Sequence, residues 1–122
     1  NPNLEYIPFD AQHEDFNFLK YFDIIFMNSF LSEMQNPLEI LNKILGFASK
    51  YIIIHRQDIL ELDCEYKKEI YPTYGGLDTI NTVINRNDFI RIAEENNCSI
   101  KYDEESFEGL PIKRTILIVK ND

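Results

Sequence analysis

The sequence predicts an α/β domain built on a mostly parallel sheet with flanking helices, and three observations carry that prediction. Two apolar runs, Ile24-Ile25-Phe26-Met27 and Tyr51-Ile52-Ile53-Ile54, lack polar alternation, which is the pattern of strands buried on both faces. Between them stands Asn36-Pro37-Leu38-Glu39, where Asn suits the N-cap, Pro the first helical position and Glu a reach back to the cap. Near the end, Ile116-Leu117-Ile118-Val119 repeats the two-sided apolar pattern after the turn Glu108-Gly109-Leu110-Pro111.

Taken in order, Leu4 to Phe9 reads as a short strand and Asp10 to Asn17 as a polar loop. Phe16, Phe18 and Leu19 form an apolar patch before the strand Phe22 to Met27. The helix from Pro37 to about Ala48 carries Leu38, Leu41, Ile44, Leu45 and Ala48 on one stripe. Strand, helix and strand then make one βαβ unit. Residues Gln57 to Thr82 form the least regular stretch, acidic and then aromatic, broken by Pro72 and Gly75-Gly76, with room for a short helix within Ile59 to Ile70. Asn85 caps a helix whose buried face is Phe89, Ile92 and Ala93 and which ends near Asn96-Asn97, a pair suited to a left-handed cap. Ile100 and Tyr102 alternate with polar residues as in an edge strand, antiparallel to the run at 116–119.

At 122 residues the chain is one domain or part of one, and its 44% hydrophobic content is enough for a core. A net charge of −9 disfavours nucleic acid as a partner. No apolar run is long enough to span a bilayer, so no membrane partner is expected. Cys64 and Cys98 are far apart and outside any C-x-x-C, which points to free thiols in the cytoplasm rather than a disulfide framework or zinc site. His13-Glu14-Asp15 is too local to converge on one ion, so no metal is expected.

With these elements in place, the chain resembles the second half of a class I S-adenosylmethionine-dependent methyltransferase, a Rossmann-like fold. The stretch YFDIIFMNSFLSEMQNPLEIL carries most of the resemblance, and YIIIHRQDI resembles a subgroup of uncharacterised bacterial members. That family's sheet is ordered 3-2-1-4-5-7-6 with the seventh strand antiparallel. The resemblance implies that this chain supplies the order 4-5-7-6 with an antiparallel last strand. Residues 1–122 would then be a single partial domain, without the N-terminal cofactor-binding half. The family's glycine-rich turn is missing, since none of the four Gly residues sits in a G-x-G, and so is the acid that grips the ribose. The implied activity is transfer of a methyl group from S-adenosylmethionine to a small-molecule acceptor by the full-length parent, the fragment alone being inactive.

The resemblance also implies a site. Asp10 and Ala11 would contact the adenine, and Asn28, Ser29 and Phe30 would line the cofactor side at the end of the fourth strand, where α/β sheets place ligands. His55 is the candidate general base, because an imidazole titrates near neutral pH, and Glu33 is a weaker candidate. Arg56 would anchor an acidic group of the substrate, unless it pairs with one of the chain's many acids. Tyr71 and Tyr74 would cover the substrate or pin the long loop. The fourth strand's uncovered edge would invite a homodimer. Two other readings compete: a non-catalytic methyltransferase-like interaction module, and a different doubly wound half-domain without an antiparallel last strand. A glycine-rich turn about 60 to 90 residues ahead of Phe22, the length of two βα units, would favour the enzyme.

Overall fold

The computed structural model describes residues 15–60, 67–72, 78–109 and 112–122, with only the backbone described over 67–72 and 78–81. The expected first strand, Leu4–Phe9, lies outside the described residues. A 3-10 turn, Asn17–Tyr21, leads into β1 (Ile24–Asn28). A second 3-10 turn, Leu31–Glu33, precedes α1 (Pro37–Phe47), which returns the chain to β2 (Tyr51–Leu60). A hairpin follows, β3 (Lys67–Pro72) and β4 (Asp78–Asn85), then α2 (Arg86–Glu95), β5 (Cys98–Glu105) and β6 (Lys113–Lys120).

One six-stranded sheet gathers all the strands around β2. β1 runs parallel to the first half of β2, Ile24 opposite Tyr51 through Asn28 opposite His55. β6 runs antiparallel along the other flank, and β5 closes that side antiparallel to β6. β4 joins the flank of β2 that β1 has left, parallel, at Ile59–Ile84 and Leu60–Asn85. The antiparallel β6 removes the reading that required a last strand parallel to the rest.

Two stretches depart from the sequence expectation. Residues 57–82 are largely sheet rather than irregular chain: β2 continues to Leu60 and a hairpin follows, with no helix among the described residues between Ile59 and Ile70. The signal lay in Asp78-Thr79-Ile80-Asn81-Thr82-Val83-Ile84, a β-branched run hidden behind the glycines that precede it. The second departure concerns the apolar strands, which are not buried on both faces. The registers align Ile25, Ile52 and Ile118, and likewise Met27, Ile54 and Ile116, on the face covered by α1 and α2. Their neighbours point the other way, so Ile24 is 59% exposed and Phe26 61%. Among the described residues both helices pack on one side, and a strand without a second cover buries only alternate residues.

The helices form where the sequence places them. On α1, Pro37, Ile40, Leu41, Ile44 and Leu45 are buried, a stripe at helical spacing. Asn36 is the N-cap residue, but its amide donates to the Glu39 carboxylate at 2.9 Å rather than capping the backbone. That bond, followed by Lys43, holds the Glu39 carboxyl below its usual range. On α2, the Asn85 side chain accepts from the backbone N–H groups of Asn87 and Asp88 at 2.8 and 3.4 Å, a cap worth about 1 kcal/mol. Asn97, with φ +57°, ends the helix in the left-handed conformation. Phe16 and Leu19 pack into the core, whereas Phe18 remains 37% exposed. Cys98 is a buried free thiol pushed up by burial, and Cys64 lies outside the described residues. No helix among the described residues is long and apolar enough to cross a membrane.

Candidate active site

The carboxyl end of β1 and the middle of β2 meet through backbone. Ser29 N–H donates to the His55 carbonyl at 2.9 Å, prolonging the β1–β2 ladder by one residue. The Ser29 carbonyl in turn accepts from the Ser32 hydroxyl at 2.9 Å, which ties the following 3-10 turn to the strand end. Three described residues other than glycine have a left-handed backbone: Ser29 (φ +54°), Arg56 (φ +60°) and Asn97. Asn97 caps a helix, but Ser29 and Arg56 face one another across the strand ends. Each costs about 1 kcal/mol that the surrounding bonds must hold in place.

Arg56 adopts that conformation because β2 bulges there. From Ile54 to Gln57 the strand advances three residues while β6 advances two, from Ile116 to Arg114. The extra residue re-aims the side chains, as bulges do beside sites. Thr115 lies opposite the bulge, and its hydroxyl meets His55 Nδ1 at 2.8 Å. The Ser106 hydroxyl meets the same Thr115 hydroxyl at 2.8 Å and accepts the Arg56 backbone N–H at 3.1 Å. Two rings flank the imidazole: Phe26 stacks on it with centroids 6.4 Å apart, and Phe107 tilts against it at 6.0 Å. The Arg56 guanidinium lies 5.3 Å from the Phe107 ring centroid. Among the described residues it makes no ion pair.

Asn28, Ser29, Phe30, His55 and Arg56 are thus brought together at the carboxyl end of β1, beside the middle of β2, which continues past the point where the sequence suggested it would end. Glu33 is exposed, and no hydrogen bond or ion pair among the described residues engages its carboxylate. Asp10, Ala11 and Tyr74 lie outside the described residues, and Tyr71 is placed only by its backbone, in β3 opposite Thr79. The sequence reading missed Phe26, Ser106, Phe107 and Thr115. Only the alternation of Thr115 with buried Ile116 hinted that a hydroxyl faces the open side of β6. No group of three metal-ligating side chains occurs among the described residues.

Beside Asn28 an apolar hollow of about 290 Å³ runs along the edge of β1 that no described strand pairs. Phe16, Phe18, Ile25, Phe26, Asn28 and Phe30 are among its lining residues. The β3–β4 hairpin approaches from the other side, where the Thr82 hydroxyl donates to the Met34 carbonyl at 2.8 Å.

Comparison with solved structures identifies the fold. The N-terminal domain of EvdMO1, crystallised with SAH bound, is 13% identical, with a TM-score of 0.60 over 93% of this chain and 52% of that one. An S-adenosylmethionine-dependent methyltransferase from Mesorhizobium loti is 9% identical, with a TM-score of 0.60 over 90% of this chain and 67% of that one. The 1,6-didemethyltoxoflavin-N1-methyltransferase of Burkholderia thailandensis, with bound 1,6-didemethyltoxoflavin and S-adenosylhomocysteine, is 11% identical, with a TM-score of 0.53 over 92% and 48%. The chain has the Rossmann-like fold of the class I S-adenosylmethionine-dependent methyltransferases. It spans about half the length of the EvdMO1 domain. No family model matches the sequence, and no curated protein matches it.

Proposed function

We propose that this chain is the acceptor-side, C-terminal half of an S-adenosylmethionine-dependent methyltransferase domain acting on a small molecule. In this reading His55 is the general base and Arg56 holds an anionic group of the acceptor. One observation carries the proposal. In a methyltransferase fold, an imidazole held through Nδ1 stands beside the carboxyl end of β1, next to an arginine that makes no ion pair among the described residues. Small-molecule chemistry is favoured by the Burkholderia neighbour, which holds 1,6-didemethyltoxoflavin.

The residues present fit part of the cofactor. The apolar hollow beside Asn28 suits a flat ring or a thioether, and Asn28 and Ser29 bring polar groups to its rim. Nothing in the chain supplies a glycine-rich turn for close backbone approach to the methionine end. When bound, the cofactor supplies an electrophilic methyl group on a sulfonium. The chain's own residues do the rest: Arg56 orients the acceptor, Phe26 and Phe107 exclude water, and His55 takes the acceptor's proton at Nε2.

Calorimetric titration tests the division of labour. S-adenosylmethionine added to this chain gives no appreciable binding, while a parent that also carries the glycine-rich turn binds it. A micromolar dissociation constant for the chain alone, about −8 kcal/mol, overturns the half-domain reading.

We further propose that two copies of the isolated chain pair through the edge of β1 that no described strand occupies. Ile24 and Phe26 are exposed there, and Ile24 to Met27 contains neither Lys nor Pro to blunt it. Sedimentation at micromolar concentration shows a dimer that dissociates when Phe26 is changed to Lys; a monomer at that concentration refutes the pairing.

A further inference from the structure

We infer that Thr115 and Ser106 are positioning residues that set the tautomer of His55, holding Nδ1 protonated and leaving Nε2 as the acceptor of the substrate's proton. This inference rests on the reading of His55 as the base. Its chemistry is contained in three contacts: His55 Nδ1 with Thr115 Oγ1 at 2.8 Å, Thr115 Oγ1 with Ser106 Oγ at 2.8 Å, and Arg56 N–H with Ser106 Oγ at 3.1 Å. Each hydroxyl has one proton to give and two lone pairs to offer. The third contact has a fixed direction, because a backbone N–H only donates.

Two arrangements of the remaining protons satisfy the chain. In the first, Ser106 donates to Thr115, Thr115 donates to Nδ1, and the imidazole proton sits on Nε2, where it blocks any base function. In the second, Nδ1–H donates to Thr115, Thr115 donates to Ser106, and Ser106, half-buried, turns its own proton outward. Nε2 then carries a lone pair, and among the described residues no hydrogen bond occupies it. Only the second arrangement survives protonation of His55 without any hydroxyl turning over, since the imidazolium must donate from Nδ1. It is therefore pre-organised for proton transfer, in the way that a carboxylate or carbonyl on one ring nitrogen fixes the role of the other.

The step balances. The acceptor's nucleophilic atom forms a bond to the methyl carbon with its lone pair, and its proton passes to Nε2. The carbon–sulfur bond breaks with both electrons going to sulfur, so the sulfonium becomes a neutral thioether. The positive charge moves to the imidazolium, which Thr115 accepts from at Nδ1. The unshifted register sets Thr115 opposite His55, one step on from the Ile54–Ile116 pair, and the bulge that follows presents the Arg56 N–H to Ser106 instead of to the ladder.

Nitrogen-15 shifts of the His55 ring, recorded on this chain with the imidazole neutral, read the tautomer directly. We expect a protonated Nδ1 and a pyridine-type Nε2. In Thr115→Val the preference reverses, and in Thr115→Ser, which keeps the hydroxyl, it returns. In the parent enzyme Thr115→Val lowers kcat at least about tenfold with little change in KM, and Thr115→Ser restores it. A wild-type ring protonated on Nε2, or a tautomer that Thr115→Val leaves unchanged, overturns the inference even if His55 proves essential. If the tautomer is as stated but His55→Ala retains full turnover, it is the reading of His55 as base that fails.

Discussion

On the proposed reading of this chain as half of a methyltransferase domain, replacing His55 by Ala in the parent enzyme lowers turnover by about 10²–10⁴-fold, the ordinary range for losing a positioned general base, while cofactor affinity is nearly unchanged. The separation follows from the geometry. His55 lies between Phe26 and Phe107 and is held by Thr115. The hollow that suits a cofactor ring runs along β1 and does not include it. Steady-state kinetics combined with calorimetry on the same variant measures both quantities. Unchanged turnover would make His55 a packing residue between two phenylalanines, and equal losses in both would place it in the cofactor's site.

The second large effect concerns stability. Phe89 is 1% exposed and sits on α2 in the core cluster with Ile84, Ile92 and Ala93. Truncation to Ala removes its packing and leaves a cavity that the sheet below, being continuous, closes only in part. The expected cost is about 3–5 kcal/mol. Whole domains are stable by roughly 5–15 kcal/mol, so the variant stands close to unfolding. Urea denaturation reads the loss directly. A cost under about 1 kcal/mol would show that α2 re-seats over the gap and that its packing is looser than the burial implies.

These two residues also show what the sequence reveals and what it withholds. Phe89 was legible because helical periodicity and the Asn85 cap are local signals, written within one turn of the residue they describe. The apolar run ahead of His55 placed it on a strand, but that strand continues to Leu60 instead of ending in the polar pair His55-Arg56, so His55 stands beside the end of β1 and in the middle of β2. Thr115, Ser106 and Phe107 were not legible. They reach His55 through the antiparallel register of β6 and a one-residue bulge, from fifty to sixty positions away, and no periodicity encodes that offset. The two-sided burial expected of β1 failed for a different reason. An apolar run shows that a strand prefers cover, but whether cover arrives depends on elements that the run itself does not specify.

The seam between β2 and β4 is only two residue pairs long, Ile59–Ile84 and Leu60–Asn85, and it begins beyond the bulge. β6 follows β2 across the bulge as far as Asp58–Lys113, whereas β1 pairs only the half before it and β4 only the end after it. The bulge separates their registers like a joint in a rail. The hairpin's hold on β2 is thus two residue pairs long, while the imidazole and its threonine partner sit in the unshifted register ahead of the joint.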